Sequence, residues 1–209
     1  MDFGELKTRV ARMPVFSTQD VMTLSGQEPS VVAVALTRWC RAGHLLRLRR
    51  GLYALSERDR ELRVRAPVVA SALVEPSYLS GLWILAQVSI IPEAVFIVTS
   101  ATRGRRVRFE NAFGRFVYER LPARGWFGFA ASEVDGCEVL FADAEKALLD
   151  YIYWSRSRWD AARFRQERVD AERIDLDRLE SYVDRWPVCR LVRAVEEFKL
   201  YKEAACLTW

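Results

Sequence analysis

Val32, Leu36, Trp39 and Cys40 recur at the spacing of one helical face, while Ser30, Ala33, Val34, Thr37, Arg38 and Arg41 fall largely on the other. That two-sided stretch, residues 29–42, reads as a helix opened by Pro29 in its first turn and stopped by Gly43. Two further helices precede it. Residues 3–13 form a short one ended by Pro14, and residues 18–24 a second one with Ser17 as N-cap and Asp20 three positions on. After Gly43 come two short apolar runs, Leu45-Leu46-Arg47-Leu48 and Leu52-Tyr53-Ala54-Leu55, joined by Arg49-Arg50-Gly51. They read as a hairpin. Helix, helix–turn–helix and hairpin in this order predict a winged helix-turn-helix over residues 1–65.

Residues 56–65 (SERDRELRVR) are densely charged and read as a linker or a solvated helix start. Beyond them the apolar pattern resumes, with helices predicted over 67–73 and 78–87 on either side of Glu75-Pro76. Residues 94–99 (AVFIVT) predict a buried strand, followed by strands over 107–109 and 115–119. Asp135-Gly136 predicts a two-residue type I′ hairpin. Ala144, Ala147, Leu148, Tyr151 and Ile152 mark an amphipathic helix over 143–156, and further helices are expected over 176–186 and 188–203, with Pro187 at their junction. The expected fold class is α+β: the winged helix, then a domain over 66–209 with a small antiparallel sheet and several helices.

Composition narrows the chemistry. Of 209 residues, 51% are apolar and 29% charged, a globular balance in a chain long enough to bury a core without staples. The four cysteines, Cys40, Cys137, Cys189 and Cys206, form no CxxC pair, and His44 is the one histidine. This argues against a Cys/His zinc site and against any Ser-His-Asp triad not built on His44, which itself reads as a cap-region surface residue. The start lacks the pattern of an export signal, and the longest apolar stretch, 78–91, is short and interrupted by Gln87. The expectation is a cytoplasmic protein with reduced thiols, no metal, no cofactor and no membrane partner.

Charge divides the chain. Residues 1–65 carry 12 basic and 7 acidic side chains, whereas the rest is close to neutral, within a formal total of +4. The excess either points to a polyanion met by the N-terminal part or simply keeps a small domain soluble. Ser30, Thr37, Arg38 and Arg41 on the outer helix face, with Arg47, Arg49 and Arg50 on the hairpin, are the expected DNA-binding residues. A second basic cluster, Arg103, Arg105, Arg106 and Arg108, either extends that footprint, faces an acidic partner or a tRNA-like substrate, or guards a sheet edge. Trp126 and Phe127 belong either to the core or, if exposed, to a partner-binding surface.

Catalytic readings find little. Glu145-Lys146 at a helix start reads as structural, the acid pairing with a neighbouring strand or loop, and Asp143-Ala144-Glu145-Lys146 lacks the E-x-K spacing of a metal-dependent nuclease. No GxxxxGK[ST] occurs, and Gly125-Trp126-Phe127-Gly128 lacks the strand-to-helix context of a dinucleotide site. No enzyme is expected.

Three stretches carry a resemblance: LTRWCRAGHLLRLRRGLYAL at 36–55, PSYLSGLWILAQ at 76–87 and ADAEKALLDYIYW at 142–154. In this order they resemble the AbiEi-type antitoxins of type IV toxin–antitoxin (abortive infection) systems, with residues 156–209 alike only in helical character. The resemblance implies a winged helix that binds operator DNA, at repeats upstream of its own operon, and represses transcription. It also implies a C-terminal domain that counteracts a nucleotidyltransferase-like toxin, a role in phage defence. The alternative is a stand-alone regulator that senses a ligand or partner without a toxin.

Overall fold

A computed structural model describes residues 1–206 of the chain. The N-terminal unit is built from α1 (Phe3–Val10), β1 (Phe16–Ser17), α2 (Thr18–Ser25), α3 (Pro29–Arg41), β2 (Leu45–Arg49) and β3 (Leu52–Leu55). Local chemistry sets these boundaries. Asp2 caps α1 by accepting from Glu5 N, and Ser17 and Asp20 form a reciprocal capping box at α2. α1 ends at Val10, earlier than the 3–13 expected. The hairpin is also joined by a strand that the sequence did not announce: β1 pairs antiparallel with β3, Phe16 opposite Tyr53, giving the order β1-β3-β2.

Residues 56–65 form no helix. Ser56 is buried, and Asp59 is held by the ring of His44, whose Nδ1 lies 2.9 Å from Asp59 Oδ2, and by the hydroxyl of Ser56 at 3.0 Å. His44 also stacks on Phe3, with centroids 4.2 Å apart. The single histidine therefore ties α1, the end of α3 and the start of the linker together.

The remainder comprises α4 (Ala66–Leu73), β4 (Ser77–Leu79), α5 (Leu82–Gln87), β5 (Ile97–Thr102), β6 (Val107–Asn111), β7 (Gly114–Arg120), β8 (Phe129–Val134), β9 (Cys137–Ala142), α6 (Ala144–Trp154), α7 (Ala161–Gln166), α8 (Leu176–Arg185) and α9 (Cys189–Cys206). The class is α+β as expected, but the sheet corrects the expectation of a small antiparallel one. It has six strands in the order β6-β7-β5-β4-β9-β8, and β4–β9 and β5–β7 are parallel pairs. Residues 78–87 are likewise not one helix. Ser77–Leu79 is an inner strand, buried at every position, and only Leu82–Gln87 is helical. A three-residue strand has too few alternations to betray itself in a sequence.

The strand expected over 94–99 begins instead at Ile97, opposite Arg115, close to where its partner β7 begins. The β8–β9 turn does match expectation: Asp135 and Gly136 both take positive φ, 52° and 76°, as a type I′ turn requires. Register places Leu79, Ser100 and Tyr118 on one face of the sheet and Tyr78 and Ala101 on the other. Tyr118 donates to the Ala70 carbonyl of α4, and Tyr78 donates to Asp150 of α6, so helices cover both faces.

Two apolar clusters form the interior. Leu6, Val10, Phe16, Val21, Val32, Leu36, Trp39, Leu45 and Leu55 make the smaller, N-terminal one. The larger gathers the six-stranded sheet and its helices, and it also takes in Leu48, Leu52 and Ala54 from the hairpin. Among the described residues no helix is long and apolar enough to cross a membrane, and Cys40, Cys137 and Cys189 are free thiols. The Cys206 side chain lies outside the described residues.

Candidate nucleic-acid interface

α3 divides as its sequence pattern predicts. Val32, Leu36 and Trp39 are buried and Cys40 is half-buried, its thiol pushed up by burial against the opposing pull of Arg47. Ser30, Val31, Ala33, Val34, Thr37, Arg38 and Arg41 are exposed, Val34 to 70%. A valine exposed to that extent contributes nothing to the core, so this face is free to meet another surface. Thr37 Oγ1 donates to the Ala33 carbonyl at 2.8 Å, and the Arg38 guanidinium lies 5.9 Å from the Trp39 ring centroid.

The hairpin arginines are not equivalent. Arg47, Arg49 and Arg50 are all exposed. Arg49, however, donates from Nε to the Leu73 carbonyl at 2.9 Å and from Nη1 to the Arg50 carbonyl at 3.2 Å. Its guanidinium anchors the hairpin to the end of α4. A register shift between Arg47 and Arg49 accompanies this arrangement and leaves Leu48 unpaired in the ladder, buried in the larger cluster. The tip is also tied to α2, since Thr18 N donates to the Gly51 carbonyl at 2.9 Å.

This helix and hairpin lie in the segment that can be compared with known proteins. Residues 6–56 match the AbiEi_4 family, described as a transcriptional regulator, AbiEi antitoxin. The AbiEi resemblance read from the sequence is thereby borne out over residues 6–56. The match covers the first of the three resembling stretches, whereas 76–87 and 142–154 lie beyond it. No curated protein shows a significant match to the chain.

The remaining expected residues are dispersed. Arg103, Arg105, Arg106 and Arg108 are exposed along β6 and the loop before it, and Arg106 pairs with Glu119 at 2.6 Å. Their strand runs back to the hairpin, where Asn111 Nδ2 donates to the Leu48 carbonyl at 3.3 Å. Trp126 and Phe127 go to the core side of the alternative. Phe127 is 5% exposed, and half-buried Trp126 packs edge-on against Tyr78 and Phe129. The partner-binding expectation for Phe127 is corrected accordingly: a side chain enclosed by Tyr182, Trp186 and the Lys146 ammonium offers little contact area.

Glu145 and Lys146 are both buried, and their partners are internal. Glu145 Oε1 accepts from the backbone N–H of Asp175 at 2.9 Å, in the loop before α8, as the structural reading expected. Lys146 forms an ion pair with Asp150, which also accepts from Tyr78 OH at 2.8 Å and Ser80 Oγ at 2.7 Å. The aromatic rings of Phe127 and Trp186 lie 4.9 Å from the ammonium. Burial pushes the Lys146 ammonium down and the Asp150 carboxyl up, and each charge opposes the shift of the other. Nearby, Tyr182 donates to Asp143 Oδ2, and burial followed by that bond pushes its phenol up to about 12. Among the described residues no cluster of His, Cys, Asp and Glu is arranged to hold a metal ion.

Proposed function

We propose that the chain is an antitoxin and transcriptional autorepressor that binds operator DNA through a winged helix-turn-helix over residues 1–65. In this reading α3 is the recognition helix and the 66–209 domain counteracts a nucleotidyltransferase-like toxin. One observation carries the DNA half: α3 keeps its apolar stripe inward and turns Ser30, Thr37, Arg38 and Arg41 outward, in the segment that matches an antitoxin regulator family. Arginines on such a face suit bidentate contact with guanine and contact with phosphate, and hydroxyls serve base edges or backbone. Arg47 and Arg50 flank the helix as phosphate contacts. Arg103, Arg105, Arg106 and Arg108 continue positive charge along β6.

The test is a mobility-shift titration with the DNA upstream of the chain's own gene. Arg38→Ala/Arg41→Ala is expected to abolish sequence-specific binding while leaving rescue from the co-expressed neighbouring toxin intact. Retained operator affinity in that variant would remove α3 from the recognition role. Failure of the wild-type chain to restore growth beside any neighbouring nucleotidyltransferase would leave a regulator without a toxin.

A further inference from the structure

A cleft of about 720 Å³ opens between α9 and the segment joining α6 to α7, far from the α3 face in the chain. Its walls carry Arg156, Arg158, Arg190 and Arg193 against Glu196 and Glu197. One face of α9 supplies most of this, because positions 190, 193, 197 and 200 lie within successive turns. The charges are unevenly committed. Arg158 pairs with Glu197 at 3.5 Å, and the Arg190 guanidinium lies 4.2 Å from the Tyr153 ring centroid. Arg156 and Arg193 are exposed and, among the described residues, have neither a hydrogen-bond nor an ion-pair partner. Two unpaired guanidinium groups therefore share one concavity. Their forked donors match phosphate oxygens.

We propose that this cleft binds a phosphate-bearing small molecule of nucleotide size. Three features converge on that class. The volume falls within the range of small-ligand pockets. The cleft carries a surplus of positive charge even after both glutamates are counted. Cys189 and Arg190 begin α9, whose positive dipole end therefore adds to the same field. The apolar part of such a ligand would meet Ile152 and Leu200, the latter 59% exposed on the rim. This site stands apart from the DNA reading and uses none of its residues.

Isothermal titration calorimetry on the full chain tests it, with inorganic tripolyphosphate and ATP as separate probes. One-to-one binding of both is expected, and tighter binding of ATP would assign the rim to the nucleoside. Arg156→Ala/Arg193→Ala should weaken binding by about tenfold or more per guanidinium removed. Glu196→Gln should tighten it, since a negative charge leaves the cleft. All of these side chains are exposed, and circular dichroism of the variants should match the wild type. The proposal is overturned if neither probe binds at millimolar concentration, or if the double variant binds as the wild type does. It is also overturned if Arg38→Ala/Arg41→Ala abolishes phosphate binding, because the probe would then have been sitting on the DNA face.

Discussion

Lys146 is fully buried, and what makes that tolerable is the set of groups converging on it. Its ammonium faces Asp150, whose other oxygen is satisfied by Tyr78 and Ser80. Gly128 lets the backbone approach the lysine stem, since a Cβ there would lie 2.9 Å from Lys146 Cβ and Cγ, and its φ of 70° disfavours a side chain as well. Removing one member of a buried pair leaves the other uncompensated. Lys146→Met is therefore expected to cost about 3–5 kcal/mol in urea unfolding. Lys146→Met/Asp150→Asn should cost less than the single change, because the amide oxygen can still accept from Tyr78 and Ser80 with no stranded charge. A double variant at least as unstable as the single would remove charge burial as the cause.

Asp59 supplies a pH dependence at the same scale. Burial alone would raise its carboxyl, but hydrogen bonds from His44 and Ser56 and the charges beside it hold it below the ordinary carboxylate value of 3.8. A depressed folded-state pKa contributes stability that is present above 3.8 and is lost as pH falls through the folded value. The melting temperature should thus fall below about pH 4 in the wild type. Asp59→Asn should be less stable at neutral pH and show a shallower decline in acid.

The hairpin is the element where sequence and structure part most instructively. Its existence and turn were legible, as were the α3 stripe, the Ser17 cap and the Asp135-Gly136 turn, because each is written in neighbouring residues. Its surroundings were not legible. β3 has Tyr53 and Leu55 toward the N-terminal cluster but Leu52 and Ala54 in the larger one. A strand buried on both faces gives a continuous apolar run rather than an alternation, and the run does not say what covers each side. The anchor of Arg49 is a carbonyl 24 positions away, which no local pattern encodes. The parallel pairs of the six-stranded sheet escaped for the same reason, being contacts between distant segments.

This difference predicts different behaviour from adjacent residues. Arg50→Ala should weaken DNA binding across all sequences and lower the salt slope by about one, leaving the melting temperature unchanged. Arg49→Ala should lower the melting temperature instead, because the Leu73 carbonyl loses its donor. Equal effects of the two changes on the salt slope would place Arg49 on DNA after all.

At the scale of the whole molecule, the N-terminal unit is fastened to the rest by more than a linker. Asn111 bonds the Leu48 carbonyl, Arg49 bonds that of Leu73, Arg65 Nε reaches Asp135 at 3.0 Å, and the Arg60 guanidinium sits 5.3 Å from the Phe113 ring centroid. Leu48, Leu52 and Ala54 are covered by the sheet domain rather than by the N-terminal helices. An isolated 1–65 fragment would expose that apolar strip, at a cost of about 25 cal/mol for each Å² uncovered. The full chain is therefore expected to unfold in one calorimetric transition with equal calorimetric and van't Hoff enthalpies. The 1–65 fragment should melt at lower temperature and self-associate, and Leu52→Ala in the full chain should split the transition or lower its midpoint. Two separate transitions in the wild type would mean that the hairpin contacts couple the two units too weakly to matter. A single one would mean that the six-stranded sheet and its helices unfold together with the unit that presents α3, as one cooperative structure.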